Sequence, residues 1–175
     1  MVLDAARNRL LLFGGFAGNS LFSTVHAFDL ALRQWSLLAP LGAPPAARWS
    51  SAACIEGNRM FVYGGKLNAD SQDFSTGLAG DVFVLDFTAG VDGAWTQLTT
   101  FNAPDARMGA TAGFEAATGR LLVHGGYTQA SQANGQLYSL DPLTGLWGAP
   151  GISNATFQPG VFDSACAYAS AISRF

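Results

Sequence analysis

Gly-Gly occurs three times in this chain of 175 residues, each time after an apolar run: Leu10-Leu11-Leu12-Phe13-Gly14-Gly15, Met60-Phe61-Val62-Tyr63-Gly64-Gly65 and Leu121-Leu122-Val123-His124-Gly125-Gly126. The pairs are 50 and 61 residues apart. A repeat of this period constrains the fold more than any composition can. It means that one supersecondary unit, unable to bury its apolar surface alone, is stacked on copies of itself.

With the glycine pairs in register, other residues fall into line. A polar loop follows each pair, then a short alternating segment that ends in Asp29, Asp86 or Asp141. A tryptophan comes next, at Trp35, Trp95 and Trp147. After the first two tryptophans stand a proline-containing stretch and an arginine, Arg48 and Arg107, followed by small residues. Each unit reads as four short strands: a after the arginine, b ending at Gly-Gly, c ending in aspartate and d carrying tryptophan. The a–b links hold Gly and Asn, as tight hairpins require. Strand b is apolar throughout, the pattern of a strand buried on both faces. No segment carries helical periodicity with caps, so the expected class is all-β. Charged residues are only 12% of the chain, against about a quarter in average proteins. That low share and the 21 glycines suit a sheet-rich, turn-rich protein.

The order arginine, small residues, hydrophobic run, Gly-Gly, aspartate, tryptophan resembles the kelch repeat. The resemblance covers roughly residues 1–150, with a weaker echo from Phe162 onward. It implies a β-propeller of kelch type, in which each repeat gives one four-stranded blade. On that reading blade 1 spans about 1–43, blade 2 about 46–100, blade 3 about 104–150, and a fourth blade opens at about 162–175. Because propellers close with about four to eight blades, three and a fraction make an incomplete ring. Three arrangements are open: a fragment whose remaining blades lie elsewhere in a longer polypeptide, a half-propeller closed by a second copy, or a compact non-propeller fold.

The repeated residues read as scaffold, since chemistry does not need three copies. Gly14, Gly15, Gly64, Gly65, Gly125 and Gly126 suit sharp turns where blades crowd. Trp35, Trp95 and Trp147 supply large flat surfaces to pack between blades. Arg48 and Arg107 can lay their stems over that packing and donate to carbonyls. Asp29, Asp86 and Asp141 can accept from turn amides. His26 and His124 occupy aromatic positions of the repeat, and Cys54 and Cys166 fall among small residues of a strands.

The resemblance implies a protein-binding module. If the strands alternate in direction, the b–c and d–a loops emerge on one face, and loops on a rigid scaffold are where recognition sits. The b–c loops are read as 16–24, 66–80 and 128–136. The second is the longest, and its Lys66, Asp70, Gln72, Asp73 and Phe74 are the candidate partner-binding residues. The d–a loops contribute Pro40, Pro44, Pro45 and Phe101. The alternative is part of an enzyme like galactose oxidase, a copper radical enzyme on a kelch-type propeller, with its active site in blades absent from this chain. No acid–base pair, Ser-His-Asp set or phosphate loop is visible, so neither catalysis nor a cofactor or metal site is expected here. A net charge of −3 gives no basic footprint for nucleic acid. No apolar run reaches the length of a membrane span, and the first residues lack the pattern of a signal peptide. The single lysine, the low charge and the sequon Asn154-Ala155-Thr156 lean toward the cell surface or exterior, while two cysteines form no disulfide framework. The compartment stays open.

Overall fold

The computed structural model describes residues 1–130, 133 and 135–149. The segment 162–175, read above as the start of a fourth blade, lies outside the described residues, as do Asn154 and Cys166. The described chain forms three four-stranded antiparallel sheets, each built from consecutive strands. The first holds β1 (Val2–Asp4), β2 (Arg9–Ala17), β3 (Ser20–Asp29) and β4 (Gln34–Leu37). The second holds β5 (Ala52–Glu56), β6 (Arg59–Lys66), β7 (Leu78–Asp86) and β8 (Ala94–Leu98). The third holds β9 (Arg107–Glu115), β10 (Arg120–Thr128), β11 (Leu137–Asp141) and β12 (Leu146–Gly148). Two 3₁₀ turns, Ala5–Arg7 and Phe87–Ala89, are the helical segments among the described residues. These are the all-β blades of a partial propeller.

The middle sheet explains why strand b is apolar at every position. Side chains alternate across a strand. Met60 and Val62 of β6, with Phe83 and Leu85 of β7, join Leu11, Phe13, Val25 and Ala27 of the first sheet in one core. Phe61 and Tyr63, with Val82 and Val84, join Leu121, Val123 and Leu140 of the third sheet in the other. Both faces of the second sheet are therefore dry. The inner strands lie against one another, β1 against β5 and β5 against β9. That crowding suits the small residues Ala52, Cys54, Ala110 and Ala112.

Strand b does not end at the glycine pair. β2 runs on to Ala17 and β6 to Lys66, with a bulge between Phe13 and Gly15 and again between Tyr63 and Gly65. A bulge bends the strand and keeps its pairing, so the chain turns without leaving the sheet. The loop expected over 16–24 is corrected accordingly. Phe16 and Ala17 pair with Leu21 and Ser20, leaving only Gly18 and Asn19 as the turn.

The tryptophans divide into two environments. Trp95 is 5% exposed and packs edge-on against Phe13 of the first sheet, ring centroids 5.3 Å apart. Trp147 is likewise 5% exposed, against Tyr63 of the second sheet at 5.3 Å. In both cases the partner is the ring just before a glycine pair. Trp35 is 53% exposed and touches Phe28 of its own sheet. The inter-blade role expected of all three tryptophans is thus seen at two, because no described sheet covers the Trp35 face.

Candidate protein-binding face

Local geometry shows why glycine and arginine travel together in the repeat. Gly14 has φ +67°, and a Cβ placed on it would lie 2.5 Å from the carbonyl oxygen of Arg48, in the link that leads to the next sheet. Gly64, at φ +65°, stands in the same relation to Arg107, again at 2.5 Å. The Gly15 amide donates to that Arg48 carbonyl at 2.8 Å. Arg48 in turn donates from Nη1 to the Gly64 carbonyl at 3.0 Å, and Arg107 does the same to Gly125 at 3.0 Å. Each arginine ties its own glycine pair while its main chain receives the pair of the sheet before. Both guanidinium groups are 1% exposed.

The two arginines differ in their second partner. Arg48 makes a bidentate pair with Asp81, Nη2 to Oδ2 at 3.0 Å. Arg107 meets no aspartate among the described residues and stacks its guanidinium over Tyr138 at 4.7 Å. Tyr63, beside Arg107, has its phenol pKa pushed up to about 12, chiefly by burial, with Arg107 acting in the opposite sense.

The three aspartates cap turns. The Asp29 carboxylate accepts from the amides of Ala31 and Leu32, both at 2.8 Å. Asp86 accepts from Thr88 at 2.8 Å and Asp141 from Leu143 at 2.9 Å. Those amides hold the Asp86 and Asp141 carboxyls below the usual carboxylate range. His26 and His124 are half-buried on separate sheets, and Cys54 is buried. Among the described residues no three His, Cys, Asp or Glu side chains gather where they could hold a metal ion. No described helix is long and apolar enough to cross a membrane.

Because consecutive strands of each sheet are antiparallel, the β2–β3 and β6–β7 turns lie at the end where β4 and β8 finish, and these two b–c connections are unequal. Gly18–Asn19 is a bare hairpin tip, whereas residues 67–77 form a compact loop with its own hydrogen bonds. The Leu67 amide closes the loop onto the Gly77 carbonyl at 2.7 Å. The Asp70 carboxylate accepts from Gln72 at 2.9 Å and from Asp73 at 3.2 Å. Asp73 Oδ1 accepts from the Ser75 amide at 2.8 Å and Oδ2 from the Thr76 hydroxyl at 2.6 Å. These bonds, led by the Ser75 and Thr76 hydroxyls, lower the Asp73 pKa to about 2. Phe74 is half-buried, edge-on to Tyr127 at 5.7 Å. Asp70 and Gln72 are exposed.

Lys66 departs from the expectation that it faces a partner. It is fully buried, and its ammonium donates into the loop, to the Asp73 carbonyl and to the Thr76 carbonyl at 2.8 Å. A buried charge persists only when it is hydrogen-bonded, so Lys66 belongs to the loop's interior. The d–a links are also more tied down than a free loop. Leu41 and Phe101 each make a parallel bridge to the outer strand of the next sheet, at Ala94 and Leu146, while Pro45 is buried.

Three contributors escaped the sequence reading. Trp49, the tryptophan outside the repeat register, donates from its indole to the Asn68 carbonyl at 2.9 Å and stacks on Phe16 at 5.5 Å. Asp81 and Tyr127 hold Arg48 and Phe74. Trp49 alone carried a usable signal, as a large aromatic off the repeat pattern and next to a repeat arginine.

Comparison with known proteins bears on the same blades. The family model for the KLHDC2/KLHL20/DRC7 Kelch-repeats domain matches residues 1–102. Adagio protein 3 of Arabidopsis thaliana is 30% identical over 138 residues, covering 75% of this chain and 21% of that protein. Multiple epidermal growth factor-like domains protein 8 of Homo sapiens is 38% identical over 125 residues, covering 67% of this chain and 4% of that protein. Acyl-CoA-binding domain-containing protein 5 of Arabidopsis thaliana is 28% identical over 141 residues, covering 80% and 20%. The chain thus spans about a fifth or less of the length of these relatives.

Proposed function

The chain belongs to the kelch-repeat family, and from that premise we propose that it is a scaffold whose protein partner lands on the end of the blades bearing the b–c loops and d–a links, with the 67–77 loop central to the contact. Kelch-repeat domains are in general interaction modules without enzymatic activity. The observation that carries the reading is the loop itself. Its Asp70 and Asp73 carboxylates accept from donors within the loop, while Asp70 and Gln72 stand exposed on its surface. A surface already held in shape loses little conformational entropy on binding, and that is where affinity gathers. The exposed aromatic ring of Phe101, on the neighbouring link, extends the same surface.

The test uses substitutions rather than deletion of the loop, since deletion would strip the buried Lys66 ammonium of its acceptors. Asp70→Arg and Gln72→Arg are introduced together into the full-length protein. Partners recovered with it are quantified by mass spectrometry against Arg33→Asp, an exposed change in a turn at the opposite end of the blades. The proposal expects loss of a specific partner with the loop variant alone. Equal recovery from both variants and the parent refutes it.

A further inference from the structure

Lys66 is the only lysine in the sequence and is fully buried, yet it stands outside both apolar cores. We propose that Lys66 is the positioning residue of the 67–77 loop: its ammonium, anchored on the scaffold, holds the loop in the shape that offers Asp70 and Gln72 to a partner. The inference rests on the binding face proposed above and adds the group that shapes it.

The main chain of Lys66 is fixed. Its amide donates to the Trp49 carbonyl at 2.8 Å, and its carbonyl accepts from the Trp49 amide at 3.1 Å. Only the side chain leaves the sheet. Its tip meets loop carbonyls on both sides of Ser75, those of Asp73 and Thr76. These carbonyls belong to the same short stretch whose side-chain and main-chain donors close on the Asp73 carboxylate. That carboxylate in turn feels the Lys66 charge. One cation therefore gathers the loop from within, drawing together dipoles that would otherwise face water singly. In a desolvated setting such charge-assisted bonds are strong, and losing the donor leaves the acceptors unsatisfied. Because the Lys66 main chain is pinned to Trp49, withdrawing the charge loosens the loop and leaves the blades intact. A structural lysine supporting the core would act everywhere.

The experiment reads those two behaviours apart. In the Lys66→Met variant, hydrogen exchange of amides 68–76 is expected to rise at least tenfold. Amides of Val62 and Val123, in the cores, should stay within twofold of the parent. Partner recovery should fall as it does for the Asp70→Arg, Gln72→Arg protein. A second measurement stands even if that variant fails to fold. Lys66 in the unaltered protein reports loop opening through its acetylation by N-hydroxysuccinimidyl acetate, read by mass spectrometry on the peptide that contains it. The rate should be at least tenfold slower than in the urea-unfolded chain, and Asp73→Ala should speed it. Labelling as fast as in the unfolded chain, or unchanged loop exchange in a folded Lys66→Met protein, overturns the inference. If loop exchange rises but partner recovery does not change, the binding face is refuted and the loop-holding role of Lys66 survives without it.

Discussion

Replacing Gly14 by alanine tests the inter-blade contact that the repeat encodes. Two glycines in the first sheet share the same backbone region, Gly14 at φ +67° and Gly18 at φ +60°. An alanine at Gly18 meets nothing within 4 Å, so it carries only the left-handed penalty, about 1–2 kcal/mol. At Gly14 the same penalty applies, and the new methyl falls 2.5 Å from the Arg48 carbonyl oxygen and 3.3 Å from that of Phe22. An ordinary carbon–oxygen contact is about 3.3 Å, so the Arg48 carbonyl must retreat by roughly 0.8 Å. It cannot do so freely. It accepts from Gly15 at 2.8 Å, and its guanidinium is held by Gly64 and Asp81. Loss of the Gly15 bond adds about 1 kcal/mol and the remaining crowding about as much again. The expected destabilisation is about 3–4 kcal/mol at Gly14 against about 1–2 at Gly18. Urea unfolding followed by circular dichroism measures both, with the denaturant slope checked for constancy. Equal values for the two variants, within about 0.5 kcal/mol, would show that backbone conformation alone accounts for the glycine pair and would refute the contact argument.

Three further expectations follow from the same geometry. Trp95→Ala empties a site between two sheets and should cost about 3–5 kcal/mol in urea unfolding, whereas Trp35→Ala, 53% exposed, should cost no more than about 1. Similar losses at the two positions would mean that the Trp35 face is covered in solution. Asp81→Ala leaves the buried Arg48 Nη2 without its carboxylate, and because the aspartate is partly open to water the cost should be about 1–3 kcal/mol by the same assay; a neutral result sinks the pairing. The Asp73 carboxyl, lowered to about 2 by hydrogen bonds from Ser75 and Thr76, is depressed relative to the unfolded chain. Its contribution to loop order is therefore present above the ordinary aspartate value of about 3.9 and is lost as pH falls through the folded value. A carboxyl carbon titration by NMR should place its midpoint near 2, and a midpoint near 4 would contradict the capped loop.

Much of the scaffold was legible because its signals are local. Asp29, Asp86 and Asp141 cap amides within three residues of themselves, so spacing alone carries the role. The apolar run Met60–Tyr63 announces a strand dry on both faces, and that strand is the one between two cores. The site was legible only in outline. Loop length marked 66–80, but the same spacing suggested an exposed Lys66, since lysine in a polar loop ordinarily faces water. The loop folds back over the ammonium, and no pattern in the sequence records the direction of a fold-back. Likewise the strands run through Gly15 and Gly65, because a bulge absorbs an irregularity that reads in sequence as a strand end.

The sequence by itself determined the repeating unit, its four-strand order and its turn caps, since each depends on short-range periodicity and on what a residue type permits its own backbone. Tertiary structure alone decided which two of three equivalent tryptophans are buried, which of two equivalent arginines meets an aspartate, and that the Lys66 ammonium turns inward to the loop carbonyls. Those outcomes depend on what the neighbouring sheet or the returning loop places opposite a side chain. Equivalent residues in a repeat share a local environment, and their energies diverge only where different neighbours remove water from them.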